Sequence, residues 1–476
     1  MQPVLTVSEM NAVDAAAAAT TPLDVLVGRA GRAVAVAALD LMGGAYGRRV
    51  VVVAGPGNNG ADGRVAGGLL AARGARVTVI GAGSADPGSI AAVGPVHLVI
   101  DAAFGTGFRG EYRFPDVPPG TPVLAVDIPS GVHGDTGAVS GQPARADRTV
   151  TFVALKPGLV QGDGAVLAGT VSVADIGLPA GAPDVGAVDD GDVAAWVPPR
   201  GRQGNKWSAA VLVVAGSPGM TGAAGMCARS AYRSGAGMVR LGVPGAGLSG
   251  LPASEAVGVT LPGEGWATDA LEVAERCSAV VVGPGLGRQP STAAEVARLV
   301  AGSPAPVVVD ADGLYALGRL DGGSPLAARS PVVLTPHDGE YRRLMDGPPG
   351  PDRIAAARRL AGSSGAVALV KGPTTAVADP DGRVRLAMAG TPALATAGTG
   401  DVLSGVIAAL LSRGVAPLEA AAVAAHVHGR AGALGPGEGL MAGDLPELVA
   451  RVLFELAPPD GGRGPAGGRG PAGTDG

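Results

Sequence analysis

Short apolar runs punctuate this chain with the spacing of buried parallel strands. A first series falls at residues 49–54, 76–80, 96–100, 122–126 and 148–153. A second falls at 209–215, 238–243, 279–282, 306–309, 332–335 and 366–370. Alanine-rich stretches of helical length lie between several of them, such as 223–234 and 401–412. Parallel neighbours need a crossover long enough to hold a helix, so the alternation predicts βαβ units in mostly parallel sheets. At 476 residues the chain exceeds one ordinary core, and the two series predict two α/β domains. The Pro-, Gly- and Asp-rich stretch 177–204 reads as the link between them, with domains at 1–190 and 191–456. Residues 457–476 repeat Gly, Arg, Pro and Ala with nothing large and apolar to pack, so disorder is expected there.

Charge and thiol content narrow the function classes. A formal net charge of −5 argues against a general nucleic-acid or anionic-membrane binder, so any phosphate must be held by local loops. No apolar run reaches membrane-spanning length, and the first residues lack a basic-then-apolar leader pattern. Thr6 followed by Glu9 reads instead as a capping box that opens a helix. Cys227 and Cys277 have no CxxC spacing and read as small buried hydrophobes in a reduced cytoplasm. Of 36 basic residues only Lys156, Lys206 and Lys371 are lysines. Arginine fills the surface here, so a surviving lysine is expected at or beside a ligand site, where a compact ammonium is needed. Chance survival on the surface is the alternative.

GPGNNGADG at 55–63 follows an apolar run and precedes a helical stretch expected at 64–72. Gly55, Gly57 and Gly60 fit G-x-G-x-x-G, whose glycines let backbone amides approach a phosphate at a helix N-terminus. A dinucleotide fingerprint also needs a carboxylate closing the next strand, and here that strand runs into Ile80-Gly-Ala-Gly. The ordinary dehydrogenase reading therefore loses ground. Two further motifs stand at strand ends, DAAFGTGFRGEY at 101–112 and VDIPSGV at 126–132. Ligands bind beyond the carboxyl ends of strands in open α/β sheets, so Asn59, Asp101 and Ser130 are expected to converge there. Their hard oxygens suit an alkali or alkaline-earth cation. Asp101 and Asp127 also suit plain turn or helix capping.

Together with ALKPGL at 154–159, these motifs resemble the NAD(P)H-hydrate epimerase family over residues 1–180. The resemblance implies a Rossmann-like three-layer fold and a potassium ion held by Asn59, Asp101 and Ser130. It implies substrate contacts from Asn58, Asn59, Gly60, Ala61 and Asp62, from Gly105, Thr106, Gly107, Phe108, Arg109, Gly110, Glu111 and Tyr112, and from Asp127. Ala61 stands where the family usually has glycine, which narrows the conformations open to the loop. Epimerisation at a hydrated nicotinamide carbon needs proton transfer with loss and return of a hydroxyl. Asp127 is the candidate acid or base and Lys156 its partner; the alternative is that both only orient the substrate.

In the second half, GTGD at 398–401 opens a helical stretch. Such a turn offers backbone amides to a phosphoryl group, and its Asp can act as base toward a hydroxyl or simply cap the helix. NKWSAAVLVVAGSPGMTGAAG, VVGPGLG, VVVDADGL, LTPHDGEYRRL, KGPTTAV and ATAGTGDVLSGV follow in order from 205 to 406. They resemble the ADP/ATP-dependent NAD(P)H-hydrate dehydratase family, of ribokinase-like α/β fold, over residues 200–455. Asn205-Lys206 stands where the family often has His-Lys, and AGTPALATAG replaces a more usual Gly-Asn-Pro-Gly-Met run. The resemblance implies that Asp401 activates a substrate hydroxyl toward phosphoryl transfer from ADP or ATP, with magnesium on the nucleotide. It implies nucleotide contacts from Lys371, Gly372, Pro373, Thr374, Thr375 and Gly400, and substrate contacts from Ala223, Gly285, His337 and Asp401. His337, after Thr-Pro, also suits a turn-closing hydrogen bond.

The two halves together imply one bifunctional repair enzyme. It would interconvert the R and S forms of hydrated NADH and NADPH and dehydrate the S form with ADP or ATP. Resemblance to bacterial members favours ADP. A cytoplasmic homo-oligomer acting on small molecules is expected, with neither nucleic-acid nor membrane partners. A ribokinase-like kinase of a vitamin-like alcohol would share GTGD but leaves the first half unexplained. A non-enzymatic sensing module has no need of Asp101, Asp127, Lys371 and Asp401 together.

Overall fold

A computed structural model describes residues 1–201, 204–252 and 254–457. They form two compact units. The first comprises Met1–Ala187 with the later segments Gly347–Ala361 and Gly372–Met388. The second comprises Val188–Asp346, Gly362–Lys371 and the chain from Ala389 onward. Past Ala457 the expected disordered tail lies outside the described residues.

The first unit is built on six parallel strands: β1 (Arg49–Ala54), β2 (Arg76–Gly81), β3 (Leu98–Ala102), β4 (Val123–Val126), β5 (Arg148–Phe152) and β6 (Thr170–Ala174). Their spatial order is β2-β1-β3-β4-β5-β6. β1 reads RVVVVA and is buried at all but its first residue, as a parallel strand covered on both faces requires. Its side chains alternate between two cores. Val50, Val52 and Ala54 pack with Val34, Ala38 and Leu70, while Val51 and Val53 pack with Ile90, Tyr112 and Phe114.

Three helices of this unit bear on the site, two of them, α2 and α3, packed on one face of the sheet. α1 (Val7–Ala18) opens with the expected capping box: the Glu9 amide donates to Thr6 Oγ1 at 3.2 Å and the Thr6 amide to Glu9 Oε2 at 2.7 Å. α2 (Leu23–Met42) had no counterpart among the elements expected from sequence. α3 spans Asn58–Ala71, so the Asn-Asn-Gly-Ala-Asp-Gly motif forms its first turns rather than a loop ahead of a helix at 64–72. Packing overrides the weak helix propensity of those residues. A Cβ on Gly63 would stand 2.4 Å from Ala102 Cβ, and one on Gly31 of α2 would stand 2.5 Å from Val65 Cγ1. Glycine is therefore what lets α3 sit close to β3 and to α2.

The stretch 177–204 is more than a link. It holds a strand at Val185–Ala187, paired to Gln2–Pro3 and to Val384–Ala387, and a helix at Asp190–Trp196 capped by Asp189. Its three-residue strand is too short for an apolar pattern to announce.

Seven parallel strands carry the second unit: β7 (Ala210–Val214), β8 (Met238–Gly242), β9 (Val257–Val259), β10 (Ala279–Val282), β11 (Val307–Val309), β12 (Val332–Leu334) and β13 (Val367–Val370). Their order is β13-β12-β11-β10-β7-β8-β9. α4 (Gly222–Arg233) lies against α6 (Thr399–Ser412); a Cβ on Gly405 would fall 2.3 Å from Cys227 O. Between them in sequence, α5 (Asp338–Leu344) follows β12. Both cysteines are free and buried. Among the described residues no helix is long and apolar enough to cross a membrane.

Two glycines of α3 should respond to alanine in opposite ways. At Gly60 a Cβ would meet Gly55 O at 2.0 Å, whereas at Gly68 nothing lies within 4 Å. Gly60→Ala is expected to lower unfolding free energy by about 1–3 kcal/mol through overpacking. Gly68→Ala should raise it by about 0.5–1 kcal/mol, since the helix gains a better former at no steric cost. Urea denaturation of both variants against the parent measures the two shifts.

Candidate functional site

At the carboxyl ends of β1, β3, β4 and β5 the first unit encloses a cavity of about 770 Å³. Its walls include Asn58, Asn59 and Asp62 from the start of α3, Gly105, Thr106, Gly107, Phe108 and Arg109 after β3, and Asp127 and Lys156. Gly60, Ala61, Gly110, Glu111 and Tyr112 are not among the lining residues. Sequence reasoning missed the walls given by Met10 and Asp14 of α1, by Leu26, Val27 and Ala30 of α2, and by Phe152. The one available signal was Asp14, a lone acid in an alanine run. Phe104 and Phe108 lie with ring centroids 4.3 Å apart, and Tyr112 packs edge-on to Phe104 at 4.9 Å. An aromatic wall of this kind suits a flat ring.

Lys156 is the electrostatic centre of the cavity. Its side chain is only 2% exposed, and its ammonium lies 2.8 Å from Asp127 Oδ1. It also donates to Thr151 Oγ1 at 2.8 Å and to Phe152 O at 2.9 Å, so the buried charge is fully partnered. Thr151 Oγ1 in turn donates to Asp127 Oδ1 at 3.0 Å. Asp127 has φ +65° and Val153 φ +68°. Such conformations cost about 1–3 kcal/mol each in non-glycine residues and persist where the surroundings enforce them.

Asp62 contrasts with Asp127. It is buried to 7% exposure yet has no hydrogen bond or ion pair among the described residues. Burial, and then the charge of Asp127, push its pKa up to about 8.

Asp101 and Ser130 meet behind the cavity wall. Both are fully buried. The Ser130 hydroxyl donates to Asp101 Oδ1 at 2.5 Å and the Ser130 amide to Oδ2 at 2.8 Å; the Ala103 amide adds a third bond at 3.3 Å. Burial still pushes Asp101 up to about 6 against those bonds. Asn59 faces Gly105 and Asp127: a Cβ on Gly105 would lie 3.6 Å from Asn59 Oδ1 and 3.3 Å from Asp127 Oδ2. The Asn59 amide nitrogen is buried without a partner.

In the second unit a lysine again binds a strand-end aspartate. Lys371 Nζ lies 2.7 Å from Asp310 Oδ1, and Ser404 Oγ donates to Asp310 Oδ2 at 2.8 Å. Asp310 follows β11 and is 2% exposed. It stood inside a motif noticed in the sequence, but nothing there marked it as the partner of Lys371. Gly400 closes over the pair: a Cβ there would meet Lys371 Nζ at 3.1 Å. Burial opposes the charge on Lys371, but Asp310 and then Glu340 outweigh it and its pKa is raised. Asp401, in the first turn of α6, is pushed up to about 6 by burial and then by Asp310, with Lys371 pulling the other way. Ala311, between Asp310 and Asp312, has φ +51°.

Ala223 and Gly285 come together, a Cβ on Gly285 lying 3.4 Å from that of Ala223. His337 caps α5, its Nδ1 accepting from the Gly339 amide at 3.0 Å, while Nε2 lies 3.5 Å from Glu340 Oε1. The turn-closing role is thus present, and His337 remains 60% exposed on its side chain. Gly372–Thr375 belong to the first unit, where the Arg353 guanidinium covers Gly372 and Thr375 Oγ1 donates to Gly372 O at 3.3 Å. Of the three lysines, Lys206 is exposed on a 3₁₀ turn and has no ion pair among the described residues.

Two parallel α/β sheets, each with a lysine–aspartate pair at its strand ends, define the chain as an α/β enzyme of two units. The family described as YjeF-related protein N-terminus matches residues 23–93 and 84–158, and the family described as NAD(P)H-hydrate dehydratase matches 211–453. The bifunctional NAD(P)H-hydrate repair enzyme Nnr of Salinibacter ruber is 40% identical, with 95% of this chain and 96% of that protein covered. Its namesake from Moorella thermoacetica is 39% identical over 75% of this chain and 73% of that one. A ribokinase-like superfamily protein from Enterococcus faecalis shares the fold, with a TM-score of 0.50, 21% identity, and 58% of this chain and 98% of that chain covered. The chain belongs to the family of bifunctional NAD(P)H-hydrate repair enzymes. Its fold class is the expected one, Rossmann-like then ribokinase-like.

The environment of Asp62 carries a pH signature. Between the ordinary carboxyl value of 3.8 and about 8, the folded protein holds a proton that the unfolded chain has released. This group's contribution to stability therefore falls as pH rises through that window, by on the order of 1 kcal/mol per unit. Denaturant midpoints at pH 6 and pH 8 should drop less in Asp62→Asn than in the parent. Equal drops would remove Asp62 as the source.

Proposed function

We infer that this chain interconverts the R and S forms of hydrated NADH and NADPH and dehydrates the S form at the expense of ADP or ATP. The observation that carries this reading is the match to one bifunctional relative along 95% of the chain, with a charged centre in each unit.

In the first unit, epimerisation requires a hydroxyl to leave and return at the hydrated ring carbon. Asp127, fixed by Lys156 and Thr151, faces the cavity where that carbon would lie, and Phe104 and Phe108 offer a wall for the ring. Asn59, Asp101 and Ser130 would hold potassium. Asp101 is a fully buried carboxylate with no cationic partner among the described residues, which fits a monovalent ion. Turning the Asn59 amide over would place an oxygen where its unpartnered nitrogen now lies. When bound, the ion supplies fixed positive charge behind the cavity wall.

In the second unit, Asp401 takes the proton of the substrate hydroxyl as that oxygen attacks the terminal phosphorus of the nucleotide, and the bond to the bridging oxygen breaks to release AMP from ADP or ADP from ATP. Its raised pKa, about 6, suits a base working near neutrality. Amides at 398–400 face the charge that develops on the phosphoryl oxygens, at the N-terminus of α6. Phosphate then leaves the ring carbon with the carbon–oxygen electron pair, the adjoining ring carbon gives up a proton to solvent, and the carbon–carbon double bond of the dihydronicotinamide is restored. Lys371, Gly372, Pro373, Thr374, Thr375 and Gly400 are assigned to the nucleotide, and Ala223, Gly285, His337 and Asp401 to the substrate. Among the described residues no three His, Cys, Asp or Glu side chains are grouped to hold a metal. Magnesium would therefore come with the nucleotide phosphates, using Asp310 or Asp401 at most and keeping waters. Two unpaired buried thiols support a cytoplasmic setting, and we assign the chain to a homo-oligomer.

The two activities should separate by single substitutions. Asp401→Ala is expected to slow dehydration of the S epimer by about 10²–10⁴-fold and leave interconversion of R and S intact. Asp127→Ala should do the reverse. Loss of both activities in a folded, monodisperse Asp401→Ala protein would replace two centres by one composite site.

A further inference from the structure

Among the described residues, every other deeply buried aspartate has a partner. Asp101 takes three hydrogen bonds from Ser130 and Ala103, Asp310 has Lys371 and Ser404, and Asp379 has Arg383. Asp192 caps its own helix. Asp62, in the second turn of α3 and on the cavity wall, has none among the described residues. Its carboxyl faces the cavity, and removal from bulk water with no donor beside it favours the neutral acid at this position.

The neighbouring charges do not relieve it. Four other charged residues line the cavity: Asp14, Arg109, Asp127 and Lys156. Lys156 is committed to Asp127, Thr151 and the Phe152 carbonyl. Arg109 donates to Thr106 O at 3.2 Å and Phe108 O at 2.8 Å. On α2, packed against α3 at Gly31, Arg29 turns away to Ile176 O at 2.8 Å. The two acids, Asp14 and Asp127, only disfavour a further negative charge.

Of the three carboxyls on this cavity, Asp127 is ion-paired, Asp14 is exposed, and Asp62 alone is buried without a partner among the described residues; such differences in surroundings separate an acid from an anion. We propose that Asp62 is the proton donor of the first centre, working with the ion-paired Asp127. This rests on the epimerase activity inferred above. Asp62 gives its proton to the hydroxyl oxygen on the hydrated ring carbon. That carbon–oxygen bond breaks with its electron pair going to oxygen, and water leaves. The lone pair of the adjoining ring nitrogen closes a carbon–nitrogen double bond, and the Asp127 carboxylate offsets the positive charge that results. The carbon is now planar and has lost its configuration. Water adds to either face, the nitrogen recovers its pair, and the released proton returns to Asp62. Atoms and electrons balance with no further reactant.

The test uses the full chain and purified R or S hydrated NADH, with interconversion followed by chromatography and dehydration of the S form as the folding control. Asp62→Asn, nearly isosteric, is expected to lower kcat for interconversion by about 10²–10⁴-fold with KM changed less than about threefold. In the parent, kcat should decline as pH rises through about 8. Asp62→Glu should keep measurable activity with that decline displaced, and it carries the test if Asp62→Asn does not fold. Interconversion by Asp62→Asn within threefold of the parent, a change in KM alone, or an undisplaced decline in Asp62→Glu would overturn the proposal. A folded parent that dehydrates but does not interconvert the epimers would overturn the epimerase reading itself.

Discussion

A lysine paired with a strand-end aspartate, one partner of each pair buried, is the constraint on which both centres depend. Lys156 with Asp127 and Lys371 with Asp310 each lie beyond the carboxyl end of a parallel sheet, at 2.8 Å and 2.7 Å. Taking two charges out of water is costly, and their attraction repays that only when the remaining donors and acceptors are satisfied. Thr151 and the Phe152 carbonyl do so in one unit and Ser404 in the other. The local backbone carries part of the cost. Asp127, Val153 and Ala311 are the non-glycine residues with positive φ among the described residues, and each lies at one of these strand ends. The chain accepts strain where charged groups must point into a site rather than along the sheet.

Around each pair stand carboxyls whose surroundings differ. Asp401 shares its neighbourhood with Asp310 and Lys371, and its raised pKa leaves it able to accept a proton near neutrality. Asp62 has burial and a like charge but no cation, and holds its proton to higher pH. Neither property belongs to aspartate as a residue type. Both follow from which helix turn carries it and what that turn packs against: α3 close on β3 through Gly63, and Gly400 leaving room for Lys371 beside α6.

Much of this was legible in the sequence, and the limits are physical. Valine-rich β1 was found at its observed bounds because a strand buried on both faces has no polar interruption. α3 was expected six residues too late, because glycine and asparagine lower helix propensity while the need for close packing is invisible in one dimension. α2 lines the cavity but was not among the expected elements, although its buried positions Ala30, Gly31, Val34, Ala35, Ala37, Ala38 and Met42 recur at helical spacing. Motifs located Lys156, Lys371 and Asp401, but the partner of Lys371 lies 61 residues away and only the fold joins them. Lys206 shows the reverse, a motif lysine that remains on the surface.

Two chemistries in one chain have a direct kinetic consequence. A mixture of R and S hydrated NADH contains a form that the dehydratase centre alone would leave behind. The decisive measurement is the recovery of reduced-ring absorbance when the full chain acts on that mixture with excess ADP and magnesium. Epimerase and dehydratase centres acting in sequence predict recovery of the whole mixture on the timescale of S-form dehydration. A plateau at the S fraction, with the R form left unchanged on that timescale, would contradict the account.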